Sequence, residues 1–134
     1  MPRRALVWLL TSTLLLVSCA ARGGLVVELD EYSLEPAKTS SKPGDVTFTA
    51  RNFGAIAHQL VVLKTERPAD RLPVKGGVVQ IDRKDIVQVG EVALINPKDD
   101  EPLSVRLRQG DFVLICNIAG HYDNGMRSPF RVRP

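Results

Sequence analysis

Cysteine, histidine and methionine are all scarce in this chain, with two of each among 134 residues. Two cysteines allow one disulfide at most, so the core must hold without a disulfide framework. No apolar run is long enough to span a bilayer. The best candidate, Leu6 to Val17, is interrupted by Thr11, Ser12 and Thr13 and falls short of the roughly 20 residues required. Charge of a single sign is also missing. The signs are mixed along the chain, with no basic stripe for nucleic acid and no basic amphipathic helix for a membrane surface. There is no internal repeat and no low-complexity tract. No strand pattern alternates with a long amphipathic helix, which argues against a parallel α/β fold. The length bounds the chain to a single domain.

The N-terminus reads as a targeting segment. Arg3 and Arg4 precede the apolar run, which favours an export signal over a membrane span. The run ends in Leu16-Val17-Ser18-Cys19, which resembles the lipobox of bacterial lipoproteins. That resemblance implies a signal peptide over 1–18, a lipidated Cys19 and a short tether over 19–24. The alternative is ordinary signal cleavage near Ala20 or Ala21, which leaves Cys19 incidental. Without Arg3 and Arg4, 16 Lys+Arg face 15 Asp+Glu, a formal net charge of +1 against +3 for the whole chain. If Cys19 carries lipid, Cys116 is alone in the exported domain. An unpaired thiol in an oxidising compartment needs burial or ligation, and a coordinated thiolate meets that need.

Beyond residue 24 the chain alternates as strands do. Leu25, Val27 and Leu29 share one face, as do Val46, Phe48 and Ala50. Glu35-Pro36 and Thr39–Gly44 punctuate. His58–Lys64 is the most strand-like run. Residues 65–77, with two prolines, two glycines and five charges, read as a long surface excursion. Val78–Ile81 is a short strand, and Asp82–Ile86 is the one helical-turn candidate. Val87–Ile95 reads as mixed strand and loop, and Asn96–Pro102 as a polar turn. Leu103–Leu107, Phe112–Cys116 and Ser128–Arg133 complete the set. Seven or eight short strands separated by turn signals predict an all-β, antiparallel Greek-key sandwich over 25–134.

The chemistry concentrates in Cys116-Asn117-Ile118-Ala119-Gly120-His121-Tyr122-Asp123-Asn124-Gly125-Met126. A thiolate, an imidazole and a thioether on one loop suit copper in a mixed soft and borderline site. Alternation puts Cys116 on the core face with Phe112 and Leu114, and puts His58 on the core face with Leu60 and Val62. The sequence therefore predicts that His58, Cys116, His121 and Met126 meet at one end of the sandwich. Two imidazoles and a thiolate form a trigonal set, with the thioether as a weak axial contact. Thioether is a poor zinc ligand, so Met126 discriminates for copper. Gly120 and Gly125 are expected to supply positive φ within the tight loop. Singly, each donor has an ordinary reading: a structural histidine, an inert core cysteine, a methionine plug.

Cys116-x₄-His121-x₄-Met126 with His58 upstream resembles the type 1 blue copper proteins, the cupredoxins, and most of all the auracyanin, azurin and plastocyanin group. Asn52-Phe53-Gly54-x₃-His58 and Pro129-Phe130-Arg131-Val132 are similar to that group too. The resemblance implies an eight-stranded Greek-key sandwich and one copper ion cycling between Cu(I) and Cu(II), without catalysis. It implies His58, Cys116 and His121 as in-plane ligands and Met126 as the axial one, with the Ala57 carbonyl as a distant fifth contact. One position departs from the pattern. The family commonly has Asn after the first histidine, where this chain has Gln59. The backbone N–H of Asn117 is then the expected donor to the thiolate sulfur.

The expected function is one-electron transfer by a lipid-tethered monomer. Its partners would be proteins such as membrane respiratory or photosynthetic complexes or cytochromes, on the periplasmic or outer side of a membrane. His121 is the expected electron exit, rimmed by Ala55, Ile56, Ala57, Ile118 and Ala119. Copper storage, delivery or sensing is the alternative, but it calls for spare methionines or histidines that this chain lacks. A multicopper enzyme needs further histidines for a second centre.

Overall fold

The computed structural model describes Met1 and residues 24–134. The signal peptide read at 1–18, apart from Met1, the lipidation read at Cys19 and residues 20–23 of the tether lie outside the described residues. Among the described residues there is no helix. Eight strands have four residues or more: β1 (Leu25–Asp30), β2 (Ser33–Pro36), β4 (Gly44–Asn52), β5 (His58–Lys64), β8 (Val87–Ile95), β9 (Asp100–Leu107), β10 (Gly110–Ile115) and β11 (Arg127–Val132). Three two-residue strands are interleaved with them: β3 (Ser40–Ser41), β6 (Val74–Lys75) and β7 (Val78–Val79).

One sheet runs β2-β1-β4-β9 and the other β3-β11-β10-β5-β8, with β6-β7 a separate hairpin. The two large sheets are mixed rather than purely antiparallel, because β1 pairs parallel with β4 and β3 parallel with β11. The chain turns back through β2, crosses to the other sheet as β3, and enters β4 in the direction of β1. Glu35-Pro36, read as punctuation, belongs to the edge strand Ser33–Pro36, and Asp100–Pro102, read as part of a polar turn, extends β9 at the other edge. Proline is tolerated at both because an edge leaves one side of the strand unpaired. Asp82–Ile86 is not helical; it is a turn closed by an Arg83–Ile86 bridge.

Alternation then fills the space between the sheets. Val27, Leu29, Phe48 and Ala50 come from one side, and Leu60, Val62, Phe112, Leu114, Phe130 and Val132 from the other, all buried. Phe48 meets Phe130 edge-on across the sandwich, with ring centroids 5.2 Å apart. Each large apolar side chain buried here contributes about 1.5–3 kcal/mol relative to exposure.

The excursion read over 65–77, together with the chain on to residue 86, has a structural task. Val61, Leu63, Val113 and Ile115 face outward from the second sheet, yet they are buried beneath Leu72, Val79, Ile86 and Tyr122. The unbroken apolar run Leu60–Leu63 in β5 follows from this. One set of its side chains faces the sandwich core and the other faces this cover.

Candidate metal centre

Cys116 stands immediately past β10, at the end of the sheet where β5 begins with His58. The loop from 116 to 126 is closed by its own backbone. The Cys116 N–H donates to the Met126 carbonyl at 3.1 Å, and the Met126 N–H donates to the His121 carbonyl at 3.1 Å. Further turns within it run from His121 N–H to Ile118 O (3.0 Å) and from Gly125 N–H to Tyr122 O (3.1 Å). Gly125 has φ +125°, and a side chain there would bring a Cβ within 2.9 Å of the Tyr32 carbonyl. Tyr122 pins the loop from below. Its hydroxyl donates to Ala69 O at 2.7 Å and accepts from Leu72 N–H at 2.9 Å. The loop is thereby fastened to the cover that packs on β5 and β10.

Three donors converge in this frame. His58 Nδ1 lies 3.3 Å from His121 Nδ1, and Cys116 Sγ lies 3.4 Å from His121 Nδ1. All three donor atoms fall within 4.8 Å of one another, and all three residues are buried. Both of these contacts fall on His121 Nδ1, so the hydrogen bonds open to the two imidazoles and the thiol compete for one nitrogen. An ion about 2 Å from nitrogen and about 2.3 Å from sulfur, the ordinary ligand distances for a metal such as zinc, fits within that triangle. Met126 is also fully buried and belongs to the same core cluster as Cys116. The residues present therefore fit a mononuclear metal.

The electrostatics agree with a site built for neutral imidazoles. Burial holds both histidines below their usual pKa, and for His58 the nearby His121 acts in the same sense. Burial pushes the Cys116 thiol up, opposed by the backbone N–H groups of Ile118 and Gln59. The Gln59 N–H donates to Cys116 Sγ at 3.2 Å. The expected donor, the Asn117 N–H, does not take that role. The Asn117 side chain instead bridges to the β6-β7 hairpin, accepting from Val79 N–H at 2.7 Å and donating to Val79 O at 3.2 Å. Gln59 thus faces the sulfur with its backbone, so the length of its side chain does not set that bond. Ala57 is half-buried beside His58.

The sequence singled out Asn52 only within the motif upstream of His58 and gave it no role. Asn52 is buried, and its amide donates to Ile56 O (2.8 Å) and Ile95 O (2.9 Å) and accepts from Gly54 N–H (2.9 Å). It holds the loop that delivers His58. Glu31 and Tyr32, in the turn after β1, also reach the centre. The Glu31 carboxylate lies against His58, and Tyr32 meets the His121 ring edge-on at 5.3 Å. Nothing in the local pattern of 31–32 marks them, because they approach the site from the opposite sheet. Around the centre Tyr32, Phe53, Ala55, Ile56 and Ala119 are exposed. His121 retains 7% exposure and His58 none.

No protein-family model matches this sequence, and no curated protein matches it. Solved structures do match in fold. Auracyanin A, a "blue" copper protein from the green thermophilic photosynthetic bacterium Chloroflexus aurantiacus, superimposes with a TM-score of 0.57 at 20% identity, covering 83% of this chain and 100% of that one. Rusticyanin from Thiobacillus ferrooxidans gives 0.58 at 20% identity, covering 81% and 76%. A multicopper oxidase from Aquifex aeolicus gives 0.51 at 14% identity, covering 84% of this chain but 30% of its own. At these identities the likeness shows the fold.

Proposed function

We propose that this chain, cupredoxin in fold, is a one-electron carrier holding a single copper ion. His58 Nδ1, Cys116 Sγ and His121 Nδ1 would hold the ion, with the Met126 thioether as a further, weaker donor. The observation that carries this reading is the convergence of two buried imidazole nitrogens and one buried thiol within 4.8 Å, with a buried methionine in the same cluster. The bound metal would supply a Cu(II)/Cu(I) couple, with sulfur donors favouring the reduced state.

The chain's own residues do the rest. The backbone bonds of 116–126, the Asn52 amide and the Tyr122 hydroxyl hold the donors in one arrangement, which keeps rearrangement between oxidation states small. The Gln59 N–H withdraws charge from the sulfur. His121, the less enclosed of the two histidines, lies nearest solvent and provides the path for the electron. The exposed apolar residues around it suit brief docking of a redox protein, at the small end of interface sizes. Burial of His58, Cys116 and Met126 disfavours the rapid metal exchange that storage or delivery requires. Both histidines of the sequence belong to this centre, which supports a carrier rather than a multicopper enzyme.

Export and a lipid anchor at Cys19 complete the proposal, on the strength of residues 1–19 alone. They would confine the carrier near membrane redox complexes. The test is to load the protein with Cu(II) and record its visible spectrum. An intense thiolate-to-copper band in the red, bleached reversibly by reductant and lost in Cys116→Ser, is expected. A colourless or pale product would refute the copper assignment. Mass analysis of the mature N-terminus decides lipidation.

A further inference from the structure

His58 has a second ring nitrogen, and its surroundings are unusual. Nδ1 faces His121 and the thiol, so in a neutral ring that binds through Nδ1 the proton sits on Nε2. Nε2 is buried with no hydrogen-bond partner. The Glu31 carboxylate faces it, with Oε1 3.5 Å away. That separation exceeds an ordinary N–H···O bond, but it is close enough for strong electrostatic interaction.

The carboxylate is held there independently of His58. The same Oε1 accepts from Ala55 N–H at 2.8 Å and from Ile56 N–H at 3.0 Å. A side chain at Gly54 would put a Cβ 2.2 Å from that oxygen, so the glycine makes room for the carboxylate. Glu31 therefore clasps the 54–56 loop that leads into His58.

We propose that Glu31 is a positioning residue of the metal centre: its carboxylate orients His58, fixes the Nε2–H tautomer and lowers the reduction potential. A carboxylate behind a ligating imidazole raises the basicity of the ligand. Its negative charge also favours the more positive metal state. This inference rests on the copper reading above, and its test is arranged to separate the two.

The full chain and its Glu31→Gln variant are compared. Glutamine keeps one acceptor oxygen for Ala55, Ile56 and His58, removes the charge and turns the other oxygen into an amide NH₂. The variant is expected to retain the red charge-transfer band and to show a raised potential. At the wild-type midpoint its reduced-to-oxidised ratio should rise by up to about tenfold, roughly 59 mV for one electron. Glu66→Gln, beyond the far end of β5, controls for net charge and should not shift the potential. An unchanged potential in Glu31→Gln, or an equal shift in Glu66→Gln, overturns the proposal. Independently of copper, ¹⁵N NMR of the metal-free protein should find the His58 proton on Nε2, and Glu31→Ala should mix the two tautomers. A wild-type ring protonated on Nδ1 overturns the role of Glu31. Absence of the red band in wild type instead overturns the copper reading.

Discussion

Single side chains carry unequal weight around this centre. Asn52 satisfies three backbone groups from a buried position, so Asn52→Ala leaves two carbonyls and an N–H without partners. A loss of about 2–4 kcal/mol is expected in urea unfolding of the metal-free protein, since each orphaned buried group costs about 1–3 kcal/mol. Tyr122→Phe removes one hydroxyl that serves Ala69 O and Leu72 N–H. It should cost about 1–3 kcal/mol by the same measurement, with the colour of the loaded protein retained. At Met126 the expectation is chemical: Met126→Leu keeps the red band and raises the potential, because a weak donor is removed while the trigonal set persists. Loss of copper from that variant would contradict an axial role.

At the level of elements, β5 is the pivot. Its first residue is a proposed ligand, its inner face lines the sandwich core, and its outer face lies under the 65–86 cover. The cover is therefore part of the support for the metal loop, through Tyr122 and through the Asn117–Val79 pair. Leu72→Ala should open a cavity there. A destabilisation of about 2–5 kcal/mol is expected for such a truncation, read as a lowered unfolding midpoint at unchanged m-value. Alternation along each strand was legible in the sequence, as were the faces of Val27, Phe48, Leu60 and Phe130. The cover was not: its prolines, glycines and charges look like free surface when the bonds that fasten it run to Asn117 and Tyr122, 38 to 53 residues away. The parallel pairings of β1 with β4 and β3 with β11 were hidden for the same reason.

For the whole molecule the direction of β1 matters. Leu25, the first strand residue after the tether, sits beside Phe48, and the strand then runs to Asp30 and Glu31 at the metal end. Six residues at about 3.3 Å each place the start of β1 roughly 20 Å from the centre. The described strands form a closed set without residues 2–23. Removing that segment should leave one cooperative unfolding transition in calorimetry, with an unchanged Tm and unchanged copper colour. A broadened or shifted transition would mean that the segment packs on the domain.

The sequence by itself determined the all-β character and supplied the proposed donor set. Period-two patterning and the order of Cys116, His121 and Met126 are local properties, written within a few residues of each other. Tertiary structure decided which groups surround those donors. The meeting of His58 with Cys116 depends on the pairing of β5 with β10, and the sulfur's donor is the Gln59 backbone because of that register. Glu31 reaches His58 from the other sheet, across 27 positions of sequence. A contact of that kind is fixed by how two sheets pack, and no pattern within either segment encodes it.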